Sequence, residues 1–268
     1  MIRDITIGQY YAVDSPIHRL DPRVKLLGTL LYIVGLFLAK GFVGYLFGAL
    51  FLAFVIHLSK VPFRYMVRGL KAIVMLLLFS VSFNLFLTKG TPIIQFTENI
   101  AITWEGLSLA ARMVVRLILL IIGSSLMTLT TTPNDLTDGL EKGLGFLKVI
   151  KVPVHEIAMM MSIALRFIPI LIEETDKIMK AQIARGADFE NGNLIQKVKN
   201  MVPLLVPLFI SAFRRAGDLA MAMEARCYHG GEGRTKMKPL VYKKQDYLAY
   251  GVLALFLVGI LILRKLGL

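Results

Sequence analysis

The chain has 268 residues, 56% of them hydrophobic on a broad count, with a mean hydropathy of +0.67 and a formal net charge of +13. Soluble domains of this length carry less apolar content, so the composition points to a polytopic membrane protein whose basic residues anchor topology and lipid headgroups, not to a nucleic-acid binder. The single cysteine, Cys227, excludes an internal disulfide framework and any multi-cysteine metal site.

From the N-terminus, residues 1–21 lack the basic-then-apolar pattern of a secretory signal, so no cleavage is expected. His18-Arg19-Leu20-Asp21-Pro22-Arg23 opens the membrane part, with Asp21 placed to cap a helix and Pro22 in its first turn. Apolar runs follow at 26–39 and 42–58, each near the length that crosses about 30 Å of hydrocarbon. Gly44 and Gly48 make a G-x-x-x-G pair that permits close helix contact. Lys60, Arg64, Arg68 and Lys71 cluster in a short connection before a third run at 73–87. The next connection, 88–105, contains Pro92 and the sole tryptophan, Trp104, an interfacial anchor. A fourth run spans 107–129 and the last 247–263.

Arg112 and Arg116 lie one turn apart in the outer half of the fourth run, where a charge must be paired, hydrated or snorkelling. They read as snorkelling residues packed on neighbouring helices or as a functional surface. No Asp or Glu stands inside the runs, which argues against proton- or sodium-coupled transport.

Counting Lys and Arg beside the runs places the N-terminus, the 60–71 connection and residues 130–246 in the cytoplasm, with the C-terminal tail outside. The expected architecture is therefore all-α: a multi-pass plasma-membrane protein with about five transmembrane helices. It divides into an N-terminal membrane domain of four spans (1–131), a cytoplasmic segment of one short and two long helices (132–245), and a C-terminal transmembrane helix (246–268).

Within the cytoplasmic segment, Thr132-Pro133-Asn134-Asp135 is a helix-start pattern, and a short amphipathic helix through Leu140 should end among Gly143 and Gly145. Pro153 begins a long helix to Gly186 that Pro169 is expected to kink. After a polar turn at 188–193, a second long helix starts near Leu194, with bends expected at Pro203 and Pro207. Glu173, Glu174, Asp176, Lys177 and Lys180 in one helix, and Arg214, Arg215 and Asp218 in the other, argue against spans. Both helices are nonetheless apolar on more faces than one core stripe requires.

The two long helices close on nearly the same tripeptide, Ala184-Arg185-Gly186 and Ala225-Arg226-Cys227. An arginine at a helix C-terminus is favoured by the dipole alone. Two matched copies, each with small neighbours, suit insertion of a guanidinium into a groove on another protein. Other chemistries fail on inspection. His155-Glu156 begins like a zinc-protease helix, but position 159 is methionine. Gly230-Gly231-Glu232-Gly233-Arg234-Thr235 lacks the ending and the preceding strand of a phosphate loop. No nucleophile–base pair emerges, so no catalytic residue, metal or cofactor is expected in this chain.

The two Ala-Arg motifs, the Gly-Gly-Glu-Gly-Arg-Thr stretch, the early Leu-Asp-Pro-Arg and the order of runs together resemble the EcfT family, within the wider CbiQ-like group. These are transmembrane scaffold subunits of energy-coupling factor transporters, and the resemblance covers essentially the whole chain. It implies that residues 132–245 form a cytoplasmic coupling domain whose two long helices cross, and that their terminal Ala-Arg motifs dock into two ATP-binding-cassette subunits, EcfA and EcfA', with Arg185 and Arg226 each engaging one. ATP and Mg would be bound by those partners. It also implies a membrane-facing surface for a substrate-binding S-component, to which Met159, Met160, Leu204, Leu205, Leu208 and Phe209 are assigned. The function so implied is a non-catalytic scaffold for uptake of a vitamin or similar micronutrient. Alternatives are a self-sufficient permease or channel lined by Arg112, Arg116 and Asn84, and a membrane-embedded enzyme, which the missing carboxylate and histidine clusters disfavour.

Overall fold

Asp21 starts the first helix of the computed structural model, which describes residues 10–88, 90–97, 100–187, 189, 194–231, 237 and 239–267. The polar turn at 190–193 and Glu232–Thr235 of the glycine-rich stretch lie outside the described residues. The elements run α1 (Pro22–Leu38), α2 (Phe42–Ser59), α3 (Phe63–Leu87), β1 (Pro92–Thr97), β2 (Ile100–Thr103), α4 (Trp104–Thr130), α5 (Pro133–Gly143), a 3-10 turn (Gly145–Ile150), α6 (Val154–Ala184), α7 (Leu194–Glu224) and α8 (Lys244–Lys265). Among the described residues the regular structure is helical apart from one small antiparallel hairpin, β1–β2, in the connection before α4.

Asp21 caps α1 as its position predicts, its Oδ1 accepting the Arg23 backbone N–H at 2.9 Å with Pro22 in the first turn. At α4 the cap is Thr103, whose hydroxyl accepts the Gly106 N–H at 3.1 Å. Helix α3 begins ten residues before its apolar run and absorbs Arg64, Arg68 and Lys71, which the sequence reading left in a connection. Those residues are good helix formers, and nothing after Pro62 breaks the chain.

Four helices among the described residues are long and apolar enough to cross a membrane: α2, α4, α6 and α8. Three of these are expected spans. The fourth, α6, was assigned to the cytoplasmic segment; its charges gather late in the helix and leave an apolar N-terminal part. Helix α1 has 17 residues and the apolar part of α3 runs only from Ile73 to Leu85, so both fall short of that measure. Helices α6 and α7 continue without a break through Pro169 and through Pro203 and Pro207.

The described residues divide into two compact units, one up to Leu140 together with those from Leu240 onward, and one of Glu141–Pro239. In the first, α1, α2, α4 and α8 close on a core of Tyr32, Leu36, Tyr45, Leu119, Ile122 and Phe256. The Phe256 ring stacks on Phe51 at 4.3 Å and on Phe47 at 5.7 Å. Gly48 of the G-x-x-x-G pair is needed here, since a Cβ would meet Leu36 Cδ2 at 2.8 Å. Gly123 likewise leaves room for the Tyr32 ring, 2.7 Å from where a Cβ would stand.

The same unit carries a polar knot at the starts of α1 and α8. Asp246, 1% exposed, accepts the Asp21 N–H at 2.8 Å through Oδ1 and the Lys243 N–H at 2.7 Å through Oδ2. Arg23 donates to both oxygens of Asp21 and lies 3.8 Å from the Tyr242 ring centre. Burial pushes the Asp21 carboxyl up, but the forked Arg23 bonds and the Arg23 backbone N–H outweigh it and hold the group below the ordinary carboxylate range.

Candidate functional site

The matched tripeptides end α6 and α7 in the same backbone geometry. At the first, the Gly186 N–H donates to Ile183 O at 2.9 Å and the Ala187 N–H to Gln182 O at 3.0 Å, with Gly186 at φ +88°. At the second, the Cys227 N–H donates to Glu224 O at 2.9 Å and the Tyr228 N–H to Met223 O at 3.1 Å, with Cys227 at φ +56°. Each is a complete Schellman stop, in which a left-handed residue turns the chain so that two late carbonyls find donors. The cysteine in the glycine place therefore leaves the stop intact, at the cost of about 1–2 kcal/mol that a Cβ adds in this conformation. Ala184, Arg185, Gly186, Ala225, Arg226 and Cys227 are all exposed. Both arginines stand just past the helix, immediately before the left-handed residue, where the dipole favours them.

The helices pack antiparallel. Gln182 of α6 donates to Pro203 O of α7 at 3.2 Å, while Met159 and Ser162 share a cleft with Met223 and Tyr228. Arg185 and Arg226 consequently stand at opposite ends of the pair, each eleven residues beyond the Glu174–Arg215 contact and so about 33 Å apart along the helix axes. Between them, Glu174 accepts from the Ser211 hydroxyl at 3.1 Å through Oε1 and from the Arg215 guanidinium through Oε2. Sequence reading took Glu174 and Arg215 only as charges that interrupt apolar runs. Their spacing held the signal: Glu174 stands eleven residues before Arg185, and Arg215 eleven before Arg226.

The second tip borders a cleft of about 620 Å³ lined by Arg166, Phe167, Arg226, Tyr228 and His229, among others. Below it His155 Nδ1 pairs with Glu141 Oε1 at 2.9 Å, and a Cβ at Gly231 would stand 2.3 Å from the His155 ring. The chain after the second tip is thus seated directly on a side chain of the α6 start. Neither feature is a motif that sequence shows.

The six residues assigned to the apolar surface fall into three environments. Met160, Leu205 and Phe209 are exposed, Phe209 by 61%; Met159 and Leu208 are half-buried; Leu204 is buried at 7%. Leu204 therefore serves the packing of α7, while Ile195, Met201, Val202, Val206, Ile210 and Phe213 extend the exposed apolar set. No group of three or more His, Cys, Asp or Glu residues that could hold a metal ion exists among the described residues. Of the residues assigned to a permease path, Asn84 donates to Ser80 O and Met113 Sδ, while Arg116 turns to Tyr45.

Residues 14–237 match the family model described as CbiQ, cobalt transport protein. Three similar proteins carry the description energy-coupling factor transporter transmembrane protein EcfT. The one from Clostridium kluyveri is 58% identical over 99% of this chain and 98% of its own length. That from Bacillus subtilis is 48% identical over 92% and 93%, and that from Lactococcus lactis subsp. cremoris 46% identical over 98% of each.

Proposed function

This chain belongs to the CbiQ family, as a membrane component of energy-coupling factor transporters, and on that premise we propose that it is the scaffold coupling two ATPase subunits to a substrate-binding S-component. The observation that carries the reading is the geometric identity of the two helix stops, each presenting an exposed arginine between small residues. A guanidinium at such a tip can enter a groove and make forked bonds to carboxylates or carbonyls, the behaviour of an energetic anchor. Arg185 engages one ATPase (EcfA or EcfA') and Arg226 the other. ATP and Mg are held by those partners, and this chain does no covalent chemistry.

ATP-driven closure of the two ATPases moves the tips, and the α6–α7 pair transmits that movement to the S-component. The exposed apolar residues Met160, Leu205 and Phe209 are the contact for it, and methionine-rich surfaces suit a partner that slides or is exchanged. The cargo is a vitamin or similar micronutrient, and residues 132–245 form the cytoplasmic coupling domain between the first four spans and the last helix.

The test is Arg185→Glu combined with Arg226→Glu, with co-purification of the ATPases and uptake in cells as readouts. Loss of both is expected. Full recovery of the ATPases with full uptake overturns the docking role.

A further inference from the structure

Helices α1 and α4 run antiparallel and out of step. Lys25 Nζ, near the start of α1, donates to Thr130 O at the end of α4 at 2.8 Å, and the Tyr32 ring lies against Gly123. Near the other end of α1, the Arg116 guanidinium carbon lies 5.3 Å from the Phe37 ring centre and 5.5 Å from that of Tyr45. Arg116 is roughly twelve residues into α4, so about 18 Å of that helix continues past the turn joining α1 to α2. Helix α3 accompanies it, for Asn84 Nδ2 donates to Met113 Sδ at 3.2 Å and Thr88 O accepts from Thr103 at 2.9 Å. The α1–α2 turn is therefore a low floor beside a tall α3–α4 wall.

Measured from Thr130, Arg116 stands about 21 Å along α4, against a hydrocarbon thickness of about 30 Å. With Thr130 at the near boundary of the hydrocarbon, the floor ends short of the far one, and a lipid above it must sink. The floor is apolar where it faces outward: Phe37, Phe42 and Leu46 are 61%, 71% and 52% exposed. At its junction with the wall are two cations. Arg116 is half-buried, donates one bond to the Tyr45 hydroxyl and keeps a buried Nε with no partner. Arg112, one turn further up the wall, is exposed. Among the described residues, no carboxylate pairs with either. Lys40 adds a third positive charge in the turn itself.

We infer that this step is a binding site for an anionic phospholipid, with the phosphodiester held by Arg112 and Arg116 and an acyl chain laid on Phe37, Phe42 and Leu46. Two guanidinium groups one turn apart match the two unesterified oxygens of a phosphodiester, and their unopposed charge selects a headgroup with no cation of its own. The rings of Phe37 and Tyr45 hold Arg116 from below; with Nε buried and one Nη donating to Tyr45, the other Nη is the one that meets the ligand. An isolated arginine at this depth is costly, and the phosphate removes that cost by sinking to meet it.

The test is native mass spectrometry of the full chain in detergent, titrated separately with phosphatidylglycerol and phosphatidylcholine. The wild-type chain should retain one phosphatidylglycerol in preference to phosphatidylcholine. Arg112→Gln with Arg116→Gln should weaken that retention about thirtyfold, two basic residues near an anionic headgroup each contributing about five- to sixfold. Lys60→Gln, outside the step, should change nothing. If the double variant folds poorly, Arg112→Gln alone still tests the site, since this exposed side chain should give about a fivefold loss. Equal retention by the variants and the wild type, or no preference between the two lipids, overturns the inference. So does retention unchanged in the double variant alongside loss of a co-purifying membrane protein, which would make the step a protein contact.

Discussion

Asp246 accepts the backbone N–H of Asp21 at 2.8 Å, so two helix starts separated by most of the chain share one buried carboxylate. The two oxygens of Asp246 serve Asp21 and Lys243, while Asp21 serves Arg23. Removing the acceptor leaves two backbone donors unsatisfied in a buried place. Asp246→Ala should therefore lower stability by about 3 kcal/mol, and Asp246→Asn, which keeps one oxygen, by about half that. Thermal unfolding in detergent, followed by Trp104 fluorescence, measures both. The folded Asp21 carboxyl titrates below its ordinary value, so its contribution is present above the unfolded value of about 3.9 and lost as pH falls through the folded one. An Asp21→Asn chain should lose that part of the acid dependence and nothing near neutrality.

At the tips, single truncations should be nearly equivalent because the backbone stops are the same. Arg185→Ala and Arg226→Ala should each weaken ATPase binding by about 2 kcal/mol, close to thirtyfold. Binding of each purified ATPase to the reconstituted chain provides the comparison.

Helix-stop chemistry separates the two tips more sharply than their arginines do. Gly186→Ala places a Cβ at φ +88° and should cost about 1 kcal/mol. Cys227→Gly removes the Cβ at φ +56° but frees the unfolded chain, so a gain of only about 0.5 kcal/mol is expected. Limited proteolysis just beyond each tip reads the local difference.

The ion pair between α6 and α7 should matter for coupling more than for stability, since partly exposed pairs contribute about 1 kcal/mol or less. Glu174→Arg alone sets two cations against each other and should reduce uptake severalfold while the ATPases still co-purify. Adding Arg215→Glu should restore uptake. Failure of the exchanged pair to rescue would remove Glu174 and Arg215 from the coupling path.

Local signals in the chain carried much of this architecture. The Asp21-Pro22 and Thr132-Pro133 starts, the long apolar runs of α2, α4 and α8, and the two tip positions are all set by neighbours within a few residues. The hairpin at β1–β2 leaves only a weak trace in the sequence: Ile93, Ile94, Thr97, Ile100, Ile102 and Thr103 are β-branched, but strands of six and four residues are too short to establish a period. Pro169, Pro203 and Pro207, where bends are expected, lie inside helices that continue on both sides of them. Relationships such as Asp21 with Asp246, Glu174 with Arg215 and Arg116 with Tyr45 join distant segments and have no local signature. They decide how the helix ends are braced and where a buried cation finds support, so the ends of the two long helices were legible in the sequence but the contacts between distant segments were not.

The equal spacing from Glu174 to Arg185 and from Arg215 to Arg226 makes the ion pair a fulcrum with arms of about 16 Å on either side. The offset of 41 residues from Glu174 to Arg215 also takes Arg185 to Arg226, so a half-turn about an axis through the ion pair would exchange the two antiparallel arms. One polypeptide in this way imitates a symmetric dimer, and a pair of like motors pulling on its two ends would deliver balanced torque about a single charged axle.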